Sequence, residues 1–199
     1  MRITDHYARR AQAQGYPARS VYKLEEIQRK FGLVRRGDTV LDIGASPGSF
    51  SLLLLELLHG SGRVVAVDCS SLGIAPSAAA FRYVQGDIFD DDTLCKIGGL
   101  GPYSVIISDA APSTSGNRIV DAAKSTEIGL RVVDIAREHL IQSGNLVIKL
   151  LQGGEERAIL EQLRADFASA RGFKPRASRS ESSEVYYVAL GACWSAKEN

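Results

Sequence analysis

The sequence has few cysteines, and none of them has a spacing typical of a metal or redox motif. Cys69, Cys95 and Cys193 are far apart in the chain, and no C-x-x-C pair occurs. An odd, scattered set argues against a disulfide framework, a zinc site or an iron–sulfur cluster. We therefore expect reduced thiols, no bound metal and a cytoplasmic location.

Long apolar runs are also missing. The longest, residues 50–58, is interrupted by Ser51 and Glu56. It is far shorter than the roughly 20 residues that a membrane-spanning helix needs. The first residues of the chain lack the apolar segment of a signal peptide. We expect no association with a membrane.

The whole chain has almost no net charge, but its N-terminal segment is basic and the remainder is acidic. The chain has 24 basic and 23 acidic residues, a net charge of +1. Residues 1–36 hold nine Lys and Arg against three Asp and Glu, a net +6, which leaves −5 on the remainder. A second basic cluster consists of Arg171, Lys174, Arg176 and Arg179. Because basic groups pair with phosphates, the near-neutral total does not exclude a nucleic-acid partner.

The length of 199 residues favours a single domain, 1–199, with a basic N-terminal arm and helix over 1–36. Short apolar runs predict six strands, at 40–44, 64–68, 81–84, 105–109, 146–149 and 185–190. Apolar spacing predicts four helices, at 21–31, 49–59, 121–141 and 155–167. This alternation is typical of an α/β domain around a mostly parallel sheet. We expect residues 175–183 to form a loop before the last strand.

Three features follow successive predicted strands, where open α/β sheets bind ligands. The first is the turn D-I-G-A-S-P-G-S-F at 42–50, in which glycine allows a ligand to approach the backbone. Asp68 ends the next strand and can accept both hydroxyls of a ribose, and Asp87 can accept from an adenine amino group. The dinucleotide pattern G-x-G-x-x-G is absent, as is the phosphate loop. Together the features favour S-adenosylmethionine, although each alone is more often an ordinary turn, a helix cap or a solvated acid.

Four charged residues lie beside predicted buried segments: Lys23, Asp109, Lys149 and Glu184. A lysine directly after a buried strand is costly unless it is paired. Asp109 and Lys149 could instead form a structural ion pair at the edge of the sheet, which is the usual role of such residues and which their spacing does not exclude.

With these residues in this order, the sequence resembles the FtsJ (RrmJ) family of ribose 2′-O-methyltransferases, from about residue 18 to residue 190. The segment D-A-A-P-S-T-S-G at 109–116 is close to a motif of that family. The resemblance implies that the family's catalytic tetrad falls on Lys23, Asp109, Lys149 and Glu184. It implies cofactor contacts at Gly44, Pro47, Gly48, Phe50, Asp68, Asp87, Ile88 and Asp109. The candidate RNA-binding residues are Arg9, Arg10, Arg19, Lys23, Arg176, Arg179 and Tyr186.

The resemblance further implies a Rossmann-like class I methyltransferase fold, with a mostly parallel seven-stranded sheet, an antiparallel last strand and helices on both faces. The implied reaction is S-adenosylmethionine-dependent methylation of a ribose 2′-hydroxyl in RNA, with a uridine of the large-subunit (23S) ribosomal RNA as first candidate. A transfer-RNA anticodon loop or an mRNA cap is an alternative substrate. A non-catalytic RNA-binding protein is an alternative of another class. We expect a monomer that acts on the large ribosomal subunit.

Two questions stay open at the level of sequence. Lys149 is the candidate base, but free lysine is protonated at neutral pH, so it could instead stay charged and only orient the hydroxyl. Tyr7, Tyr16 and Tyr22 lie among the N-terminal basic residues, where they could stack on unpaired bases or pack inward.

Overall fold

The structure is a computed structural model that describes residues 6–74, 76, 79–153, 156–179 and 182–194. The helices in these ranges are α1 (His6–Ala13), α2 (Val21–Phe31), α3 (Ser49–Leu58), α4 (Asp91–Gly99), α5 (Arg118–His139) and α6 (Glu156–Asp166). The strands are β1 (Thr39–Ile43), β2 (Arg63–Asp68), β3 (Phe81–Gln85), β4 (Tyr103–Ser108), β5 (Leu140–Leu151), β6 (Phe167–Phe173) and β7 (Glu184–Ala192). In this part of the chain no helix has the length and apolarity needed to cross a bilayer.

The strands form one seven-stranded sheet in the order β3-β2-β1-β4-β5-β7-β6. Strands β1 to β5 pair in parallel, and β7 runs antiparallel to both β5 and β6. The predicted α/β class, the seven strands and the antiparallel last strand are confirmed.

The six strands predicted from the residues do not include β6, and the predicted helix 155–167 overlaps only the first residue of this strand. The helix ends at Asp166 and β6 begins at Phe167. Residue 155 lies outside the described residues. The strand is rich in small and polar residues rather than the β-branched residues typical of strands. It is an edge strand, and its conformation depends on pairing with β7.

Helices cover both faces of the sheet. Leu24 and Ile27 of α2 and Leu54 of α3 belong to the same apolar cluster as Ile107. Ile106, the next residue along β4, belongs to the cluster on the opposite face, with α4, α5 and α6. Since neighbouring strand residues point to opposite faces, β4 is buried on both sides. Such burial explains the continuous apolar runs that predicted these strands.

The parallel pairing brings the carboxyl ends of β1, β2, β4 and β5 to one edge of the sheet. The chain order reverses between β1 and β4, where open α/β sheets form a ligand crevice. At this edge Asp109 N donates to Ile43 O at 2.9 Å, which holds the two strand ends together. Gly44, Asp68 and Asp109, which follow or end three of these strands, therefore lie at the same edge of the sheet.

Candidate active site

Asp109 and Lys149 form a close ion pair directly after β4 and near the end of β5. Lys149 Nζ lies 2.9 Å from Asp109 Oδ1, and the two side chains are only 9% and 17% exposed. Lys149 Nζ also donates a hydrogen bond to the backbone oxygen of Asp109. The two residues predicted from the sequence are thus adjacent and largely shielded from water.

Lys23 and Glu184 form a second ion pair beside the first. Lys23 Nζ lies 2.5 Å from Glu184 Oε1, with side chains 10% and 14% exposed. Glu184 reaches this place because β7 is antiparallel to β5, so that the start of β7 pairs with the end of β5. The antiparallel strand therefore brings the fourth member of the predicted tetrad to the same edge as the other three.

Tyr186 connects the two ion pairs. Its hydroxyl donates to Asp109 Oδ1 at 2.6 Å, and Lys23 Nζ lies 5.9 Å from the centre of its ring. Burial, followed by the nearby charge of Asp109, raises the pKa of Tyr186 well above its ordinary value, so the hydroxyl stays a donor. The ring is fully buried and cannot stack on a base. The buried position of Tyr186 thus does not fit the predicted RNA contact, and its hydroxyl contacts Asp109 instead.

A cleft of about 340 Å³ adjoins these pairs and contains four of the predicted cofactor residues, Gly44, Asp68, Asp87 and Ile88. Residues that were not predicted complete its wall, among them Cys69, Phe89, Ala111 and Ser113. Cys69 and Phe89 follow directly on predicted residues, so position next to a predicted residue was the signal that could have identified these two.

The glycine-rich turn forms one wall of the cleft. Gly44 has φ +76°, and a Cβ there would lie 2.5 Å from the Ala110 backbone, so only glycine fits. Asp68 holds the turn because its carboxylate accepts from Ser46 N at 2.9 Å and from Ser70 N at 2.8 Å. Each of its oxygens keeps a lone pair for a ligand hydroxyl.

Pro47, Gly48 and Phe50 lie outside the wall of the cleft. Pro47 O accepts from Gly73 N, and a Cβ on Gly48 would meet the Ile74 side chain at 2.4 Å. Phe50 lies in the first turn of α3, is 3% exposed and packs in the core. The structure thus gives these three residues a part in shaping the turn, and their predicted cofactor contacts stay predictions.

The far end of the cleft is built around Asp87 and Ile88. Asp87 Oδ1 accepts from Phe89 N at 3.0 Å, which fixes the loop and leaves the exposed carboxylate a second oxygen. Arg131 of α5 donates to Ile88 O at 2.9 Å and holds this loop from below. No feature of the sequence around Arg131 indicated that role.

Asp42 is a further residue that the sequence reasoning missed. It is fully buried in β1, accepts from Ser51 Oγ at 2.6 Å through Oδ2, and has no hydrogen-bond partner at Oδ1. Burial raises its pKa to about 7, against the opposing effect of the Ser51 hydrogen bond. A carboxylate inside an apolar strand was the available signal.

A second cleft, of about 470 Å³, opens beside the ion pairs and is lined by Arg19, Lys23, Arg179, Ser182 and Glu184. It brings together three of the predicted RNA-binding residues. Arg176 is exposed on the adjoining segment, and Arg9 and Arg10 are exposed on α1.

The N-terminal tyrosines pack inward or bond to the protein. Tyr22 is 3% exposed and donates to Gln14 Oε1 at 2.7 Å, while Arg10 lies 4.5 Å above its ring. Tyr16 donates to Glu56 Oε2 at 2.7 Å. The structure thus supports inward packing over base stacking for Tyr22.

Comparisons with known proteins match both the sequence and the fold. The model of the FtsJ-like methyltransferase family matches residues 16–192. The chain belongs to the FtsJ-like methyltransferase family.

Relatives of this FtsJ-like methyltransferase include proteins named ribosomal RNA large subunit methyltransferase E. The protein of Borreliella afzelii is 47% identical over 94% of this chain and 97% of its own length. That of Treponema denticola is 44% identical over 94% of each chain. The resemblance predicted from the motifs is confirmed.

Solved structures show the same fold in more distant proteins. A ribosomal RNA methyltransferase from Plasmodium falciparum superposes with a TM-score of 0.77 at 24% identity, covering 89% of this chain and 98% of that one. Fibrillarin from Aeropyrum pernix gives a TM-score of 0.59 at 14% identity, covering 86% of this chain and 76% of that one. The predicted methyltransferase fold is confirmed.

Within the described part of the chain, no group of three or more His, Cys, Asp and Glu side chains is placed to hold a metal ion.

Proposed function

We propose that this FtsJ-like methyltransferase transfers the methyl group of S-adenosylmethionine to a ribose 2′-hydroxyl of large-subunit ribosomal RNA. The observation that carries the proposal is the juxtaposition of two ion pairs, Lys149–Asp109 and Lys23–Glu184, with a nucleoside-sized cleft on one side and a basic cleft on the other.

The residues of the first cleft fit an adenosine-containing methyl donor. Asp68 offers carboxylate oxygens for the ribose hydroxyls, and Asp87 offers one for the adenine amino group. Ile88 and Ile128 supply apolar surface for a base. If bound there, S-adenosylmethionine would supply a methyl group on its sulfonium sulfur, and S-adenosylhomocysteine would be the leaving group when an oxygen accepts that methyl.

Lys149 is the residue that acts on the attacking hydroxyl. Its Nζ would hold the 2′-oxygen by a hydrogen bond, and as the neutral amine it would take up the hydroxyl proton when that oxygen accepts the methyl group. Asp109 fixes the position of Nζ through two contacts, one to its carboxylate and one to its backbone oxygen. Holding the reacting groups in line supplies much of the rate enhancement.

The RNA approaches through the basic cleft. Arg19, Arg179 and Lys23 line it, and their charges suit the phosphates on either side of the target ribose. The names of the bacterial relatives support the large ribosomal subunit as the substrate. Action as a monomer in the cytoplasm is part of the same proposal.

The test is transfer of tritiated methyl groups from S-adenosylmethionine to large ribosomal subunits, free ribosomal RNA and transfer RNA. We expect label on the large subunit, at one nucleotide that becomes resistant to alkaline hydrolysis on its 3′ side. Label confined to transfer RNA would assign the alternative substrate. Cofactor binding without any methyl transfer to RNA would overturn the proposal and favour a non-catalytic RNA-binding protein.

A further inference from the structure

Three residues on neighbouring strands form a row across one face of the sheet. Lys149 of β5 pairs with Tyr186 of β7, which pairs in turn with Phe173 of β6. Directly paired residues point to the same face, so Phe173 lies two strand spacings, about 10 Å, from the proposed base. Phe173 is therefore close enough to Lys149 to contact a nucleotide that flanks the target ribose.

Helix α2 crosses this row and places one lysine over each of its two aromatic rings. Lys23 lies above the Tyr186 ring and Lys30 lies 4.4 Å from the centre of the Phe173 ring. The two lysines are seven residues apart, which is two helical turns and about 10 Å along one face. The Lys30–Phe173 contact thus repeats, farther out, the Lys23–Tyr186 contact of the active site.

The Lys30–Phe173 contact lies in a third cleft of about 390 Å³, here called the outer cleft, which is separate from the two already described. Glu26, Arg29, Lys30, Phe173, Lys174 and Arg176 line it. Phe31 packs edge-on against Phe173 at 5.5 Å, and Arg171 lies 5.4 Å above the Phe31 ring. Phe31 and Phe173 are both half-buried residues, so each keeps part of its surface exposed.

The basic groups of this cleft are not neutralised by nearby acids. Glu26 is its single acid, and its two oxygens accept from the backbone nitrogens of Arg176 and Ala177, both at 2.9 Å. Among the described residues, no carboxylate lies within ion-pair distance of Arg29, Lys30 or Arg171. Unpaired cations around aromatic rings are the combination that binds single-stranded nucleic acid.

The same contacts connect this cleft to the active site. Glu26 holds the segment that carries Arg176 against α2, and Arg19 donates to Ala177 O at 3.3 Å. Arg179, two residues farther along, lines the basic cleft beside Lys23. Arg176 and Arg179 therefore lie on one short segment, which places one basic residue at each of the two clefts.

We propose that the Phe31–Phe173 pair and the cations around it bind unpaired RNA that flanks the methylated nucleotide. One base stacks on the exposed part of the pair, and the adjoining phosphates contact Arg29, Lys30 and Arg171. The proposal rests on the proposed RNA methyltransferase function and adds to it a binding site outside the catalytic residues.

The test measures binding of a fluorescein-labelled oligoribonucleotide of about 12 nucleotides, a length within the range of single-strand sites. The fluorescence anisotropy of the oligonucleotide is recorded with S-adenosylhomocysteine present, at a series of KCl concentrations. Phe173→Leu keeps apolar volume but removes the ring, and we expect affinity to fall about tenfold with an unchanged salt slope. The double variant Arg29→Gln/Arg171→Gln should lower the slope of log affinity against log salt by roughly 1.4.

The control is Arg164→Gln, which removes an equally exposed charge from α6 on the opposite face of the sheet. It should bind the oligonucleotide like the parent protein. On large subunits, both cleft variants should raise KM and leave kcat and S-adenosylhomocysteine affinity unchanged. The double variant alters only exposed side chains, so it tests the site even if Phe173→Leu is unstable.

The outcomes separate this inference from the function on which it rests. A parent protein that methylates ribosomal RNA, together with cleft variants whose affinity, salt slope and KM match Arg164→Gln, would overturn the inference alone. A parent protein that methylates no RNA would overturn the proposed function, and the oligonucleotide titration would still report whether the cleft binds RNA.

Discussion

The hydroxyl of Tyr186 donates a 2.6 Å hydrogen bond to Oδ1 of Asp109, the same carboxylate oxygen that Lys149 approaches at 2.9 Å. One oxygen thus accepts from a neutral donor on β7 and contacts a lysine on β5. Because Tyr186 is fully buried and its pKa is raised well above the ordinary value, this donor persists over the working pH range. The carboxylate of Asp109 is held in a fixed direction, and so is the amine of Lys149.

Tyr186→Phe is expected to slow methyl transfer about tenfold while the ring stays packed, because a hydrogen bond to a charged group contributes roughly 1.5–3 kcal/mol. Single-turnover assays at saturating cofactor and RNA measure the rate. Titration with S-adenosylhomocysteine should show unchanged affinity, since Tyr186 does not line the cofactor cleft. An unchanged rate would mean that Asp109 needs no support from this hydroxyl.

Lys149→Ala is expected to abolish detectable methyl transfer and to leave cofactor affinity close to that of the parent. The substitution removes the group placed to hold the 2′-oxygen, whereas the carboxylates of the cofactor cleft stay in place. The matched control is Lys96→Ala, an exposed lysine of α4. Near-normal single-turnover rates for Lys149→Ala would remove this residue from the mechanism.

Asp68→Ala is expected to weaken cofactor binding at least tenfold, measured by calorimetry with S-adenosylhomocysteine. It loses the predicted ribose contact and also the two backbone hydrogen bonds that hold Ser46 and Ser70. Asp68→Asn keeps one carbonyl oxygen as an acceptor, so its affinity should fall between those of the alanine variant and the parent. Equal affinity in all three proteins would exclude Asp68 from the site.

The sequence identified the charged residues of the site but not the groups that position them. Asp109 and Lys149 follow apolar runs, and ionic groups next to buried strands are conspicuous because burying them is costly. Tyr186 lies in an apolar run where an aromatic residue is ordinary, so its hydrogen bond is visible only in three dimensions. Arg131 acts through a backbone oxygen 43 residues away, and no local pattern encodes that contact.

The same distinction applies to the fold. The strands buried on both faces were found because their β-branched runs reflect local burial. Strand β6 has no such run of β-branched residues. Its extended conformation depends on hydrogen bonding to β7. The outer cleft depends on this strand, since Phe173 reaches α2 only when β6 completes the sheet. Sequence reasoning that located no strand there could count the basic residues of 171–179 but could not place them beside Phe31.

Asp42 gives the protein a pH dependence of stability that its variants should reveal. Its carboxyl has a pKa of about 7 in the folded protein against 3.8 for the ordinary group. Between these values the folded state binds more protons than the unfolded state, so stability falls as pH rises. The contribution of Asp42 is fully present below about pH 4 and is lost as pH rises through about 7.

Asp42→Asn removes this titration, and the free energy of unfolding of the variant should depend less on pH than that of the parent. The measurement is urea unfolding at intervals from about pH 4 to pH 8, the window set by the two pKa values. The difference in free energy of unfolding between parent and variant should favour the parent most near pH 4 and should decrease as pH rises to about 8. Curves that stay parallel over the whole range would show that Asp42 does not titrate there.

Ser51→Ala tests the cause of the shift. The Ser51 hydroxyl donates to Asp42 Oδ2 and favours the charged carboxylate, so it opposes the effect of burial. Removing it should raise the pKa of Asp42 further and move the pH-dependent loss of stability to higher pH. An infrared titration of the carboxyl band reports that midpoint directly. A midpoint that falls in Ser51→Ala would contradict the assignment of the hydrogen bond as a stabiliser of the charged form.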